Sequence, residues 1–416
     1  MKHLQKSFRI VALTLVYSIL TLFVQAQEYA LTGKVIAGGV EIPGAVVLLS
    51  GFQSNAITNE KGLFSIPKLK PGKYDVIVRM LGFNPTSQSI EITNKDVYLE
   101  FVLKENAQIL NEVVIKPDDN REYNMNIFIQ NFLGHSPNGK LCTILNPDVI
   151  QFSFDDRNRI LYASATDMIQ VENKALGYKI SYLLKEFEAN FATNTIFFAG
   201  LPHFTPIKAR PAQVNNFVKN RTKAYLGSMN HFFSTVYKGT TEAEGYHVYL
   251  RKQIENPDRQ PEDLIEAKIQ QFSNHAFANT KSTVFSAADS LLYWRKEKKK
   301  PKMIKFLDTN KVDMASLARR FNSDLKEINF SHDLLVLYQN ESEVNTLSYL
   351  QMKLPRPPKY KNSQASAVKL LHNSIKFYSN GILFDPRSAL FEGYWSFEKL
   401  GDLVPLDEEF KIENLK

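Results

Sequence analysis

The sequence predicts an all-β sandwich in its first quarter, followed by a mixed α+β region. Three observations carry this. Short apolar runs between residues 29 and 104 are split by Pro-Gly and Asn-x-x-Gly turns, helical apolar spacing first appears after residue 121, and strand-like runs alternate with helical ones from there on.

Residues 1–26 read as a cleaved signal peptide. Lys2, Lys6 and Arg9 precede an apolar stretch from Ile10 to Val24, and Val24-Gln25-Ala26 offers a cleavage site after Ala26. The stretch is shorter than the roughly 20 residues of a spanning helix. No cysteine stands near the site for lipid attachment, and no later segment reaches spanning length without charges. The expected address is therefore the periplasm, or the outer membrane or cell surface, with no transmembrane segment after cleavage. Cys142 is the only cysteine, which excludes an intramolecular disulfide and a thiolate metal site and suits an oxidising compartment. It is expected to act as a small apolar side chain. The formal charge of +8 falls to +5 when the leader's three cations leave, and nucleic acid is not an expected partner.

Within 27–104 the strands follow in order. Tyr29 to Val35 leads in, Pro43-Gly44 turns into Ala45 to Leu49, and Asn59-Glu60-Lys61-Gly62 turns into Leu63 to Ile66. Pro71-Gly72 precedes Tyr74, Val76 and Val78, which alternate with Asp75, Ile77 and Arg79, and Val97 to Leu103 closes the set. About seven strands in this length fit an immunoglobulin- or transthyretin-like sandwich. Gly33-Lys34-Val35, Pro43 to Val47, Thr58 to Ile66, Pro71 to Val76 and Leu81-Gly82-Phe83 together resemble the carboxypeptidase regulatory-like domain, with Asn59 where that family often has Asp. The resemblance implies an accessory module without chemistry of its own.

Residues 105–121 read as a connector around Ile109 to Ile115. This segment is similar to the strand that follows the same domain in TonB-dependent receptors and adds to an energising partner; an edge strand or linker is the plainer reading. In 122–416, Met125, Phe128, Ile129, Phe132 and Leu133 mark a helix ending at Gly134. A second helix is expected over Phe217–Tyr237, with Gly227-Ser228 inside it. Strands are expected at Val149–Phe154, Tyr178–Leu184, Thr195–Phe198, Tyr246–Leu250, Leu334–Tyr338 and Ser374–Phe377, the last turning at Asn380-Gly381. Pro355 to Pro358 reads as a connector, and the basic run Arg295 to Lys302 as a solvated loop rather than an anion site. Blocks such as Leu176 to Ile180, Ala224 to Ser228, Phe377 to Gly381 and Gly393-Tyr394-Trp395 resemble those of exported Bacteroidota proteins known by this N-terminal domain. That resemblance implies an architecture and no activity.

No histidine is followed three residues later by glutamate, so the zinc-ligand spacing of a carboxypeptidase is absent. Gly-x-Ser-x-Gly is absent too. Gly134 to Lys140 matches seven positions of a phosphate loop, but Leu141 replaces the hydroxyl residue and a helix precedes it, so it reads as a polar turn. Asp155-Asp156, Glu186/Glu188 and Asp407/Glu408 could serve acid–base work only if they face across a cleft. The aromatics around Phe377, Tyr378, Phe391, Tyr394, Trp395 and Phe397 could stack on sugars, with core packing as the default. No catalytic, cofactor-binding or metal residue is assigned, and no cofactor is expected. The reading reached is a non-catalytic cell-envelope protein that binds an envelope protein or glycan. Its alternatives are a hydrolase with a non-local site in 122–416 and a TonB-linked uptake accessory protein.

Overall fold

The structure, a computed structural model, describes residues 28–106, 120–276 and 287–410. The expected leader and the Ile109–Ile115 segment lie outside the described residues. The chain divides into two compact units, one of Met1–Tyr225 with Lys399–Lys416, the other of Leu226–Glu398. No described helix is long and apolar enough to cross a membrane.

The first unit begins with the sandwich. Its strands are β1 (Tyr29–Ala37), β2 (Val40–Glu41), β3 (Val46–Leu49), β4 (Asn55–Ile57), β5 (Leu63–Leu69), β6 (Gly72–Arg79), β7 (Thr86–Ile92) and β8 (Val97–Val102). One sheet places β1 between β5 and β8, with β2 as a hairpin extension; the other runs β4-β3-β6-β7. Leu31, Val35, Val47, Leu49, Phe64, Val76, Val78 and Phe101 fill the space between them. The fold is thus the expected β-sandwich, with eight strands rather than about seven. Gly33, part of the recognisable motif, is required by close approach. A Cβ there would collide with the Leu99 carbonyl on the parallel neighbour β8 and meet the Phe64 ring at 2.7 Å.

The same unit continues with α1 (Arg121–Leu133), β9 (Cys142–Ile144), β10 (Ile150–Asp155), β11 (Ile160–Ala165), β12 (Ile169–Asn173), β13 (Tyr178–Asn190), β14 (Thr195–Pro206) and α2 (Pro211–Tyr225). The sheet order is β10-β11-β13-β12-β9, with β14 along β13. The helical face expected from Phe128 and Phe132 is the one buried. Their rings lie 4.8 Å apart and pack on Phe152, Tyr182, Phe187 and Phe198 of the sheet. The C-terminal segment returns to this unit. Asn173 Nδ2 donates to Gly401 O (2.9 Å), and Glu408 accepts from Tyr178 Oη (2.5 Å) and pairs with Arg221 (3.2 Å).

The second unit contains α3 (Met229–Lys238), β15 (Tyr246–Glu255), α4 (Glu262–Ala276), α5 (Ala287–Lys299), β16 (Met303–Lys311), β17 (Arg319–Arg320), β18 (Leu325–Ile328), β19 (Asp333–Ser342), β20 (Ser363–Leu370), β21 (Ile375–Tyr378) and β22 (Ala389–Gly393). Its sheets run β16-β15-β19-β20-β22 and β17-β18-β21. Asn380-Gly381 turns the chain as expected, Tyr378 N donating to Ile382 O at 2.9 Å.

Two expectations change. The single helix over Phe217–Tyr237 is two helices, α2 and α3, parted at Leu226-Gly227-Ser228. Gly227 has φ +84° with the Tyr338 ring where a Cβ would point, and the extended Ser228 caps α3 by accepting from His231 N. Gly227-Ser228 therefore ends one helix and starts the next. The basic run is likewise not a loop but the last turn of α5 and the lead into β16. Three of its lysines are matched to acids, Lys298 to Glu266 (3.3 Å), Lys300 to Glu297 (2.8 Å) and Lys302 to Glu262 (3.1 Å).

Candidate functional site

The two sheets of the sandwich differ in what covers their outer faces. On the β3–β6 sheet the outward Leu48 and Ile77 are buried against Met168, Leu183 and Leu201 of the larger sheet. Around them Gly51 N donates to Pro202 O (2.5 Å), Phe204 N to Phe52 O (3.1 Å), and Arg79 makes a two-pronged pair with Asp167 (2.9 and 2.6 Å). His203 is also here, its Nδ1 3.2 Å from Leu49 O, and burial holds its pKa down. The β5-β1-β8 sheet turns its outer face to solvent. There Thr32 lies between Ser65 and Tyr98, Lys34 between Leu63 and Glu100, and Ile36 beside Val102. Tyr98 and Val102 are 61% and 58% exposed. Among the described residues β8 pairs with β1 alone, which makes it an edge strand of the described sheet.

The phosphate-loop-like stretch lies between α1 and β9. Its amides are used internally: Gly139 N donates to Ser136 Oγ (2.9 Å), Lys140 N to Ser136 O (3.0 Å) and Leu141 N to Asn138 O (3.0 Å). Asp402 Oδ1 anchors it, accepting from Ser136 Oγ (2.9 Å) and Asn138 Nδ2 (3.0 Å). Burial raises the Asp402 pKa against these bonds. Beside it stand His135, Lys140 and Lys399. Desolvation, then Lys140 and Lys399, hold His135 down, and desolvation draws Lys399 down to about 8. Lys399 was not marked by any sequence motif; it gains its character only from where the returning segment places it. Cys142 is nearby and partly buried, with its pKa pushed up to about 12 by burial and then by Asp402.

In the second unit the buried His231 accepts at Nδ1 from Gly227 N (3.2 Å), with Tyr246 Oη at 2.9 Å. Its Nε2 faces Glu244 at 3.8 Å, beyond hydrogen-bond length. Burial, and then Lys238, bring its pKa to about 4. His247 lies elsewhere, with Nε2 2.9 Å from Gln339 Oε1, and the exposed His372 pairs with Asp385 (2.9 Å). Among the described residues no three His, Cys, Asp or Glu side chains come together as a metal would need. The carboxylate pairs separate in role. Asp155 holds an Asn158 turn, while Asp407 accepts from Gln53 N as its neighbour Glu408 binds Tyr178 and Arg221. Of the aromatics, Phe377, Trp395 and Phe397 are buried core residues, and Trp395 Nε1 donates to Gly227 O at 2.8 Å.

Residues 31–115 match the CarboxypepD_reg-like domain. The match covers the sandwich and extends past its last strand, and it agrees with the motif series read from the sequence. Among solved structures, the chain is similar to a DUF3823 family protein from Parabacteroides merdae, at 14% identity over 44% of this chain and 81% of that one, TM-score 0.17. It is similar also to a chain of a type II cohesin–X-dockerin complex from Acetivibrio cellulolyticus, at 17% identity over 19% of this chain and 58% of that one, TM-score 0.18. A third is the minor pilin of Streptococcus agalactiae, at 19% identity over 19% of this chain and 44% of that one, TM-score 0.15. In the cohesin and pilin cases, less than two thirds of the other chain is spanned. No curated protein shows significant sequence similarity to the chain.

Proposed function

We propose that the chain is a non-catalytic protein exported to the cell envelope, where the open face and edge of its CarboxypepD_reg-like domain bind a protein partner. One observation carries the reading. Of the two sheets, one has the centre of its outer face covered, at Leu48 and Ile77, while the other leaves Tyr98, Val102 and Leu63 on an outer face that no described residue is seen to cover. An edge offers main-chain donors and acceptors in register, and an exposed aromatic offers contact area at little entropic cost. Both favour a polypeptide ligand.

A photo-crosslinking residue in place of Tyr98, in the full chain in intact cells, tests this. A discrete protein adduct is expected from position 98 and none from Tyr123, which is 64% exposed on α1. Equal labelling from both positions, or none from 98, removes the proposal.

A further inference from the structure

We infer that Tyr178, Arg221 and Tyr225 form a receptor for an acidic–aromatic peptide, that the chain's own Glu408 and Phe410 occupy it, and that this docking latches the sandwich to the sheet behind it. The receptor lies where β13 begins beside the end of α2, and contacts that do not involve the peptide hold it in shape. Arg221 Nε donates to Leu176 O (2.7 Å), and its guanidinium lies 3.8 Å from the centre of the Tyr178 ring. Gly177, at φ +71°, lets this turn pass close to the helix, since a Cβ there would collide with the Phe217 ring. Tyr225 follows Arg221 by one helical turn and so shares its face of α2.

The peptide is read at two positions. The Glu408 carboxylate accepts from Tyr178 Oη (2.5 Å) through one oxygen and from Arg221 (3.2 Å) through the other. Burial, and then the bond to Glu408, raise the phenol's pKa, which keeps its hydroxyl the donor. The side chains of Arg221 and Glu408 are 11% and 17% exposed, so solvent screens the pair little. Two residues on, the Phe410 ring stacks on that of Tyr225 at 4.4 Å and 19°. The preceding residues of the same peptide grip the sandwich. Leu406 N donates to Gly51 O (2.8 Å), Gln53 N donates to Asp407 Oδ2 (3.1 Å), and Leu406 fills the space that a Cβ on Gly51 would need. Five consecutive residues thus join two parts of the unit, with Glu408 230 positions from Tyr178. Leu406 to Phe410 forms no strand, so its hold rests on these few groups and it can open while the sheets stay intact.

The test follows amide hydrogen exchange in the full chain by NMR. Glu408→Gln removes the charge and should speed exchange of the Leu406 amide about tenfold, the factor for one charge-assisted bond. Phe410→Ala should speed it severalfold, and the double variant more than either. The Gln53 amide, which donates to Asp407, should follow, while the buried Ile180 on β13 stays protected. A synthetic peptide of Val404–Phe410 added to the double variant should restore protection at Gln53, and the same peptide with Gln and Ala at the two reading positions should not. If the double variant loses protection at Ile180, Phe410→Ala alone, at a half-buried ring, carries the same test with the same peptides. Unchanged exchange at Leu406 and Gln53, or no restoration by the peptide at millimolar concentration, overturns the inference.

Discussion

Acidification to pH 5 should destabilise the second unit through one side chain, His231. Its imidazole is 5% exposed and its pKa lies near 4 rather than at the ordinary 6.5, so the folded state binds the proton more weakly than the unfolded chain does. Stability from this group is full above about pH 7 and is lost as pH falls through 6.5 toward 4. With those two values the loss is about 2 kcal/mol at pH 5 and about 3 kcal/mol at pH 4. Glu244 Oε2 stands 3.8 Å from the His231 Nε2, beyond hydrogen-bond length. The assay is urea unfolding followed by Trp395 fluorescence in a Trp294→Phe background. Trp395 packs on Phe232 at 5.1 Å and bonds to Gly227 O, so it reports on the structure around His231. His231→Asn keeps an acceptor and cannot titrate. It should be less stable than the natural chain at pH 7 and show a stability difference that narrows by about 2 kcal/mol between pH 7 and pH 5. A constant difference across that range refutes the reasoning, as does an NMR titration placing the His231 midpoint above pH 6.

The junction in the first unit sets a buried apolar contact against an ion pair. Ile77→Ala should cost about 2–5 kcal/mol, because Ile77 is fully buried against Met168 and Leu183. Arg79→Ala should cost about 1 kcal/mol or less, since the side chains of Arg79 and Asp167 are 38% and 29% exposed and solvent screens them. Thermal unfolding of the two variants checks the order; an Arg79 effect equal to that of Ile77 would show that the pair, not the apolar cluster, holds the junction. Cys142, with its thiol near pKa 12, should resist iodoacetamide at pH 8 in the folded protein and react freely in urea, read by mass spectrometry. Rapid labelling of the native chain would contradict its burial.

Much of the fold was legible because it rests on local pattern. The α1 face, the hairpin at Asn380-Gly381 and the sandwich turns are short-range signals. The break at Gly227-Ser228 is a glycine followed by a capping serine, a local signal that the apolar spacing from Tyr225 to Val236 masks by running through it. The candidate sites were far less legible. Glu408 and Tyr178 are 230 positions apart, and the pairing of Arg79 with Asp167 spans 88. Only chain topology brings such residues together, and a single glutamate carries no sign of the hydroxyl it will meet.

The orientation of the sandwich is the exception, and its logic extends beyond local pattern. In β1 buried residues alternate with half-buried ones and in β8 with mostly exposed ones, as they must when one face is wetter than the other. In β3, Val46 to Leu49 runs apolar without a break, and in β6 Val76-Ile77-Val78 does the same. An unbroken apolar run in a sheet means cover on both faces. Alternation puts Ile77 on the polar side with Asp75 and Arg79, yet its own apolar side chain calls for cover there, which Met168, Leu183 and Leu201 supply. The same contrast sets β1 and β8 apart as strands whose outer face no described residue is seen to cover. Substituting Ile77 therefore tests how the domain is mounted, and substituting Tyr98 tests what it is mounted to present.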